Sequence, residues 1–294
     1  MQNGFPLKGL NTWGVGGFCK ICFMPRNEAE AADSFAEALR AGLSPYILGG
    51  GSNILVSDRS IDAAVIQTGR LDHIRISRNG ADDTLKIVAG AGYPVKKLLA
   101  LAIKEGYGGL EFLTGIPGTI GGAVWGNAGA AGCGFSGLIE EAEALDPEGR
   151  TVRIGKDLFR WRYRECPLEE GTAAMLTSLV IKISPSRRES IFGRIRDFAS
   201  MKRAQPLGKM TAGCVFKNPP GLSAGRMLEE CGCKGLRVGG AQVCLSHANF
   251  IENLGNSSSD DIYRLCELCR EKVLKSYGVE LEYEIKFLGT FEKG

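Results

Sequence analysis

Surplus charge is scarce in this 294-residue chain: 36 Lys+Arg stand against 33 Asp+Glu, for a formal net charge of +3. With no dense Lys/Arg run either, nucleic acid is not an expected partner. Histidine is nearly absent. His73 and His247 are the only two, which leaves little material for a His-based triad. No apolar stretch approaches a membrane span, and the N-terminal MQNGFPLKGLNTWGVGG has no signal-peptide core. The expectation is a cytoplasmic protein with no membrane partner. No G-x-G-x-x-G follows the first apolar segment, which disfavours a Rossmann site. Gly118-Thr119-Ile120-Gly121-Gly122 lacks the lysine of a P-loop. Internal repeats and low-complexity tails are also missing.

Glycine and cysteine are abundant, with 41 and 10 residues. Without a secretory signal the cysteines are not expected as disulfides. Cys19/Cys22 and Cys266/Cys269 form C-x-x-C pairs, and Cys231/Cys233 form C-x-C; zinc would require these to converge. Packing is the favoured reading, because Ile262, Leu265, Cys266, Cys269 and Val273 form one helical stripe.

The glycines concentrate in two places. Leu110 to Gly132 reads LEFLTGIPGTIGGAVWGNAGAAG, with almost no charge and few β-branched residues. Leu48-Gly49-Gly50-Gly51-Ser52-Asn53 joins two short apolar runs. The triple-glycine loop alone is also compatible with a tight turn. Glycines this dense suit a backbone that passes close to a large flat group or points several N–H groups at an anion. Two such loops in one chain argue for a bound dinucleotide.

The elements predicted along the chain are α+β, in three lobes covering residues 1–68, 69–203 and 204–294. In the first, Asn27 with Glu30 makes a capping box for a helix ending at Gly42, with Ala32, Phe35, Ala36 and Leu39 as its stripe. Tyr46–Leu48, Ile54–Val56 and Ala64–Ile66 suit a small, mostly parallel sheet. In the second, a hairpin turns at Asn79-Gly80 and a helix covers Val95–Glu105. Strands follow over Glu140–Leu145, Thr151–Ile154 and Met175–Ile183, implying an antiparallel sheet. After a connecting helix over Arg187–Arg203, the third lobe carries helices around Ala224–Glu230 and Ser259–Tyr277. Short strands are expected near Val238–Val243 and Asn249–Glu252, and a final strand over Leu281–Phe287.

Several polar residues could carry chemistry. Arg164, in Tyr163-Arg164-Glu165, is either a solvated arginine or a bidentate carboxylate holder. Cys214 lies between Gly213 and Lys217-Asn218; a nearby ammonium favours a thiolate, and such a thiol can protonate a carbanion, though packing is the alternative. Glu282 and Glu284 share one side of the final strand, facing a cleft or water. His247 is either a polar-site residue or a structural one.

Taken in order, these segments resemble one family over nearly the whole chain, the UDP-N-acetylenolpyruvylglucosamine reductases of bacterial cell-wall synthesis. The matching runs are Asn11-Thr12 with Val15-Gly16-Gly17, Leu48 to Asn53, Gly115 to Thr119 through Asn127-Ala128-Gly129, Tyr163-Arg164, Gln205-Pro206-Leu207, Gly213 to Pro219, Val238 to Asn253, and Leu281 to Gly289. The resemblance implies a p-cresol-methylhydroxylase/vanillyl-alcohol-oxidase type of FAD-binding fold of two lobes, followed by a C-terminal substrate domain. The short span between Arg164 and Cys214 is similar to the branch lacking an extra substrate-covering insertion. It further implies that NADPH reduces FAD, which reduces the enolpyruvyl double bond of UDP-N-acetylglucosamine enolpyruvate to UDP-N-acetylmuramate.

By the same resemblance Arg164, Cys214 and Glu284 are catalytic. FAD falls to Gly49, Gly50, Gly51, Ser52, Asn53, Ile116, Pro117, Gly118, Gly121, Gly122, Ala123, Asn127 and Gly129. The substrate falls to Tyr163, Gln205, Lys217, Asn218 and His247. No metal is implied, and a monomer is expected. The family pattern has serine where this chain has Cys214. Ala131 also replaces a frequent tyrosine, and Trp125 stands where a smaller residue is common. An FAD-dependent oxidase of the same fold and an inactive nucleotide-binding module are the rival readings.

Overall fold

Period-2 alternation between Ile74 and Ile183 becomes one antiparallel sheet. The computed structural model, which describes residues 4–206 and 208–292, orders its strands Thr151–Gly155, Ile139–Leu145, Met175–Pro185, Leu85–Gly90 and Ile74–Arg78, and adds Tyr107–Gly108 against the end of Met175–Pro185. The long strand is central. It aligns Val180 with Val88 and Ile181 with Ile87 on one side, and Met175 with Leu145 on the other. Leu179, Ile181 and Ile183 are buried with Leu85, Ile87, Leu98 and Ala102 in one core. Each such aliphatic side chain contributes roughly 1.5–3 kcal/mol by leaving water.

Six helices of the described residues are labelled in chain order: α1 (Glu28–Arg40), α2 (Val95–Glu105), α3 (Ile120–Trp125), α4 (Arg188–Met201), α5 (Ala224–Glu230) and α6 (Ser259–Tyr277). Their ends follow local signals. Asn27 accepts from Glu30 N, α2 ends on left-handed Gly106, and α6 runs from a Ser258/Asp261 capping box to left-handed Gly278. On α1 the buried stripe is Ala31, Phe35 and Ala38 rather than the expected Ala32, Ala36 and Leu39, and Leu39 is 40% exposed. Phe35 decides this. It packs with Ile66, Leu71, Leu145 and Met175, and positions four before and three after it turn inward with it.

The chain forms two compact units. One comprises Met1–Ile21, Gly51–Ala63 and Ala204–Gly294; the other comprises Cys22–Gly50 and Ala64–Arg203. The antiparallel sheet belongs to the second, as does the parallel pairing of Pro45–Leu48 with Ala64–Gln67. Ile54–Val56 does not join that pairing. In the first unit it pairs in parallel with Lys286–Leu288, so the final strand is three residues long instead of spanning Leu281–Phe287. All three residues of Ile54–Val56 are buried, and the strand that pairs with them comes from far along the chain. The core of this unit gathers Trp13, Val15, Phe216, Leu228, Ile262, Leu265, Val273 and Leu281. Cys266 and Cys269 sit within it at 0% and 1% exposure, as the helical stripe requires, and burial raises the Cys266 thiol.

Candidate active site

The two glycine loops meet at Gly50 and Gly118, both in the second unit. A Cβ on Gly50 would lie 2.6 Å from the Gly118 Cα, and one on Gly121 would lie 2.6 Å from the Ala91 Cβ. Main chain therefore packs on main chain here, and any side chain would force the loops apart. Gly49 is on the same side, 2.7 Å from Thr119 Oγ1 by the same measure. The unit boundary falls inside the triple glycine, and Gly51, Ser52 and Asn53 belong to the first unit. Thr119 caps α3, its Oγ1 accepting from Gly122 N at 3.4 Å, and Ala123 is buried on that helix. Ile116 donates its N–H to Leu113 O, closing the turn before Pro117.

Arg164 belongs to this region. Its guanidinium donates to Asn127 O at 3.5 Å and Gly129 O at 3.3 Å, and lies 5.6 Å over the Tyr163 ring. Arg164 has φ +55°, Asn127 +41° and Ala131 +50°. Non-glycine residues held in the left-handed region store of order 1 kcal/mol or more each, and such strain gathers at functional sites. Asn127 donates through Nδ2 to Arg162 O at 2.6 Å, tying the glycine-rich loop to the arginine segment. Tyr163 is 54% exposed and Trp125 packs against the core. Sequence reasoning missed Lys202. Its Nζ donates to Thr114 O, beside Gly115, and burial pushes this ammonium down to about 8, with the Arg164 guanidinium adding in the same direction. Lys202 stands in an unremarkable Met-Lys-Arg run at the end of α4, so nothing local flags it.

The other candidates lie in the first unit. The Cys214 to Lys217 segment is bonded along both edges. Glu284 N donates to Val215 O at 2.8 Å and Lys217 N to Glu282 O at 2.8 Å, while Val215 N donates to Asn249 O at 2.9 Å. Cys214 bridges to Phe250 and Phe216 to Tyr283, so the thiol and the Glu284 carboxyl emanate from neighbouring positions of adjacent segments. Asn53 closes the same corner, its Nδ2 donating to Glu284 O at 3.2 Å and its carbonyl accepting from Lys286 N at 2.9 Å. Glu282 and Glu284 part company: the Glu282 side chain is 78% exposed and pairs with Lys217 Nζ at 3.2 Å, whereas Glu284 is half-buried.

Asn218 Oδ1 accepts from Ala224 N at 3.0 Å, at the start of α5. His247 turns its Nδ1 to Asn249 N at 3.3 Å and its ring edge to Phe250. Burial, with Lys234 second, lowers the imidazole below its ordinary value, which keeps that nitrogen an acceptor. Gln205 is half-buried just before Pro206, and Leu207 of the same run lies outside the described residues.

Comparison with known proteins supplies the rest. Residues 205–288 match the C-terminal domain of UDP-N-acetylenolpyruvoylglucosamine reductase, and residues 19–155 match an FAD-binding domain. The chain is similar to the UDP-N-acetylenolpyruvoylglucosamine reductase of Synechococcus sp. (strain JA-3-3Ab), 37% identical over 99% of this chain and 92% of that one. It is 40% identical to that of Moorella thermoacetica over 97% and 92%. The chain belongs to the UDP-N-acetylenolpyruvoylglucosamine reductase family. A crystal structure of the reductase (MurB) from Thermus caldophilus superposes with a TM-score of 0.81 at 31% identity, covering 97% and 98% of the two chains. As a member of the reductase family the chain is an FAD-dependent oxidoreductase, and its α+β fold is the expected FAD-binding type with a C-terminal reductase domain.

Proposed function

We propose that the protein reduces the enolpyruvyl double bond of UDP-N-acetylglucosamine enolpyruvate to give UDP-N-acetylmuramate, with NADPH as the hydride donor, in the cytoplasm and as a monomer. The donor set suits FAD: between Leu113 and Trp125 there is no acidic side chain, the glycine turns leave main chain bare, and Arg164 and Lys202 supply positive charge. Gly49, Gly50, Gly118, Gly121, Gly122, Asn127 and Gly129 would hold the cofactor, with Gly51, Ser52 and Asn53. FAD, when bound, would supply the hydride-transfer chemistry that links NADPH to the enolpyruvyl double bond.

The remaining chemistry falls to side chains. Hydride addition leaves negative charge on the carbon bearing the carboxylate. Arg164 would hold that carboxylate and stabilise the charge as it develops, with Lys202 as a second cation. The Cys214 thiol would deliver the proton that completes the product, and Glu284 would face the same group from the neighbouring segment. Tyr163, Gln205, Lys217, Asn218 and His247 would contact the sugar nucleotide. In this reading residues 1–68 and 69–203 are the cofactor lobes and 204–294 the substrate lobe, which the family match over 205–288 supports.

The observation that carries the chemistry is that the segment bearing Cys214 is hydrogen-bonded to the segment bearing Glu284. Olefin reduction needs a proton donor there, and an alcohol oxidase needs a base. The test is anaerobic stopped flow with each substrate in turn. NADPH should bleach the flavin, and the enolpyruvyl sugar nucleotide should restore its colour with one equivalent of UDP-N-acetylmuramate formed. Flavin that stays bleached on addition of the sugar nucleotide and regains its colour only when oxygen is admitted overturns the reading.

A further inference from the structure

The Asn249 side chain is 3% exposed and makes a two-point contact with a single residue. Its Oδ1 accepts from Phe216 N at 2.9 Å and its Nδ2 donates to Phe216 O at 2.8 Å. A primary amide sets an acceptor oxygen and an NH2 donor side by side in one plane, so it reproduces the edge of a β-strand. Its own carbonyl adds the bond from Val215 N at 2.9 Å. Three bonds from one residue therefore hold three consecutive peptide units, immediately after Cys214.

The opposite edge of the same units is taken by the segment that bears Glu284, through Glu284 N to Val215 O and Lys217 N to Glu282 O. The Phe216 ring is stacked on Tyr283 at 5.2 Å, which fixes the separation of the two segments. Asn249 is itself held by His247 Nδ1 and by the Cys214–Phe250 bridge. The Phe216 peptide groups are buried, and losing the Asn249 amide leaves them unsatisfied rather than solvated.

We infer that Asn249 is the positioning residue of the protonation step: its buried amide, clamped to both backbone groups of Phe216, sets where the Cys214 thiol stands relative to the Glu284 carboxyl. The inference rests on the reading of Cys214 as proton donor. Both ends of the Asn249 amide are taken by Phe216, so Asn249 acts through the backbone it holds.

Asn249→Asp keeps the size and the acceptor but sets a carboxylate against the Phe216 carbonyl, and Asn249→Leu removes both bonds. In either variant the step in which sugar nucleotide reoxidises the reduced flavin should slow by about tenfold or more, while flavin reduction by NADPH stays within about twofold. In a Cys214→Ala background the same substitution should add almost nothing, because coupled residues are not additive. A readout independent of turnover is the alkylation of FAD-free protein by iodoacetamide, mapped by mass spectrometry. Cys214 labelling should change by at least about threefold in Asn249→Asp, with Cys133 labelling unaltered.

Equal slowing of both half-reactions with Cys214 labelling unchanged overturns the inference, since that is the signature of general destabilisation. Unchanged reoxidation in both variants also overturns it. Full reoxidation in Cys214→Ala instead removes the donor reading, and the labelling result then still decides whether Asn249 positions the thiol.

Discussion

The two site regions are built by opposite means. Around Cys214 and Glu284, ordinary side chains are placed by a ladder of hydrogen bonds between segments at 214–217, 249–253 and 282–286. Around Gly50, Gly118 and Arg164, placement comes from missing side chains and left-handed backbone, with Arg164 itself at φ +55°. Hydrogen-bonded ladders tolerate many residue types as long as the peptide groups stay paired. Bare main chain in contact tolerates glycine and little else. In the proposed reading the acid groups are thus carried on the ladder, and the Arg164 cation on a strained loop.

That contrast can be broken or sharpened in order of expected effect. Cys214→Ala should leave flavin reduction intact and slow reoxidation by the enolpyruvyl sugar nucleotide by roughly 10³-fold, the usual scale for a positioned proton donor. An unaltered second half-reaction in stopped flow would take the thiol out of the mechanism. Arg164→Ala should cost about 10²–10³ in kcat, the loss seen when a charge-stabilising donor is removed. If only KM rises, the arginine binds the ground state and its charge plays no part in the barrier.

Gly50→Ala probes the bare-chain region directly, through the 2.6 Å approach to Gly118. It should destabilise the fold by about 1–3 kcal/mol in urea melts and weaken FAD retention, whereas Glu282→Ala on the ladder side, at an exposed side chain, should do neither to that degree. Equal losses in the two variants would erase the distinction.

The smallest effect is electrostatic. Lys202 in the free enzyme is held at about 8, so it gives up its proton, and with it its pull on a carboxylate, as pH rises through that value. The kcat/KM for the sugar nucleotide should fall about twofold by pH 8 and about tenfold by pH 9, and the limb should vanish in Lys202→Arg. A limb that persists in Lys202→Arg belongs to another group.

Much of the candidate site was legible because its signals are local. Arg164, Cys214 and Glu284 stand in runs whose order and spacing carry the family resemblance, and the glycine loops declare themselves by composition. The purpose assigned to those glycines needed the structure, since Gly50 and Gly121 are required by chain packed on chain at least as much as by anything bound there. Lys202 and Asn249 were invisible in sequence. A lysine in a helix end and an asparagine in a polar run look like dozens of solvated residues, and only burial and partners distinguish them.

What the amino-acid order determined alone is whatever closes within a few residues: the Asn27 and Ser258 caps, the left-handed ends at Gly106 and Gly278, the hairpin registers, and the cysteine stripe of α6. The tertiary structure decided what depends on distant partners. Ile54–Val56 found Lys286–Leu288 instead of its sequence neighbours, Phe35 chose which face of α1 is buried, and Asn249 met Phe216. Dihedral preferences and caps are short-range terms that any window of sequence contains, whereas strand pairing and buried amide bonds are settled by competition among all the surfaces the chain must cover at once.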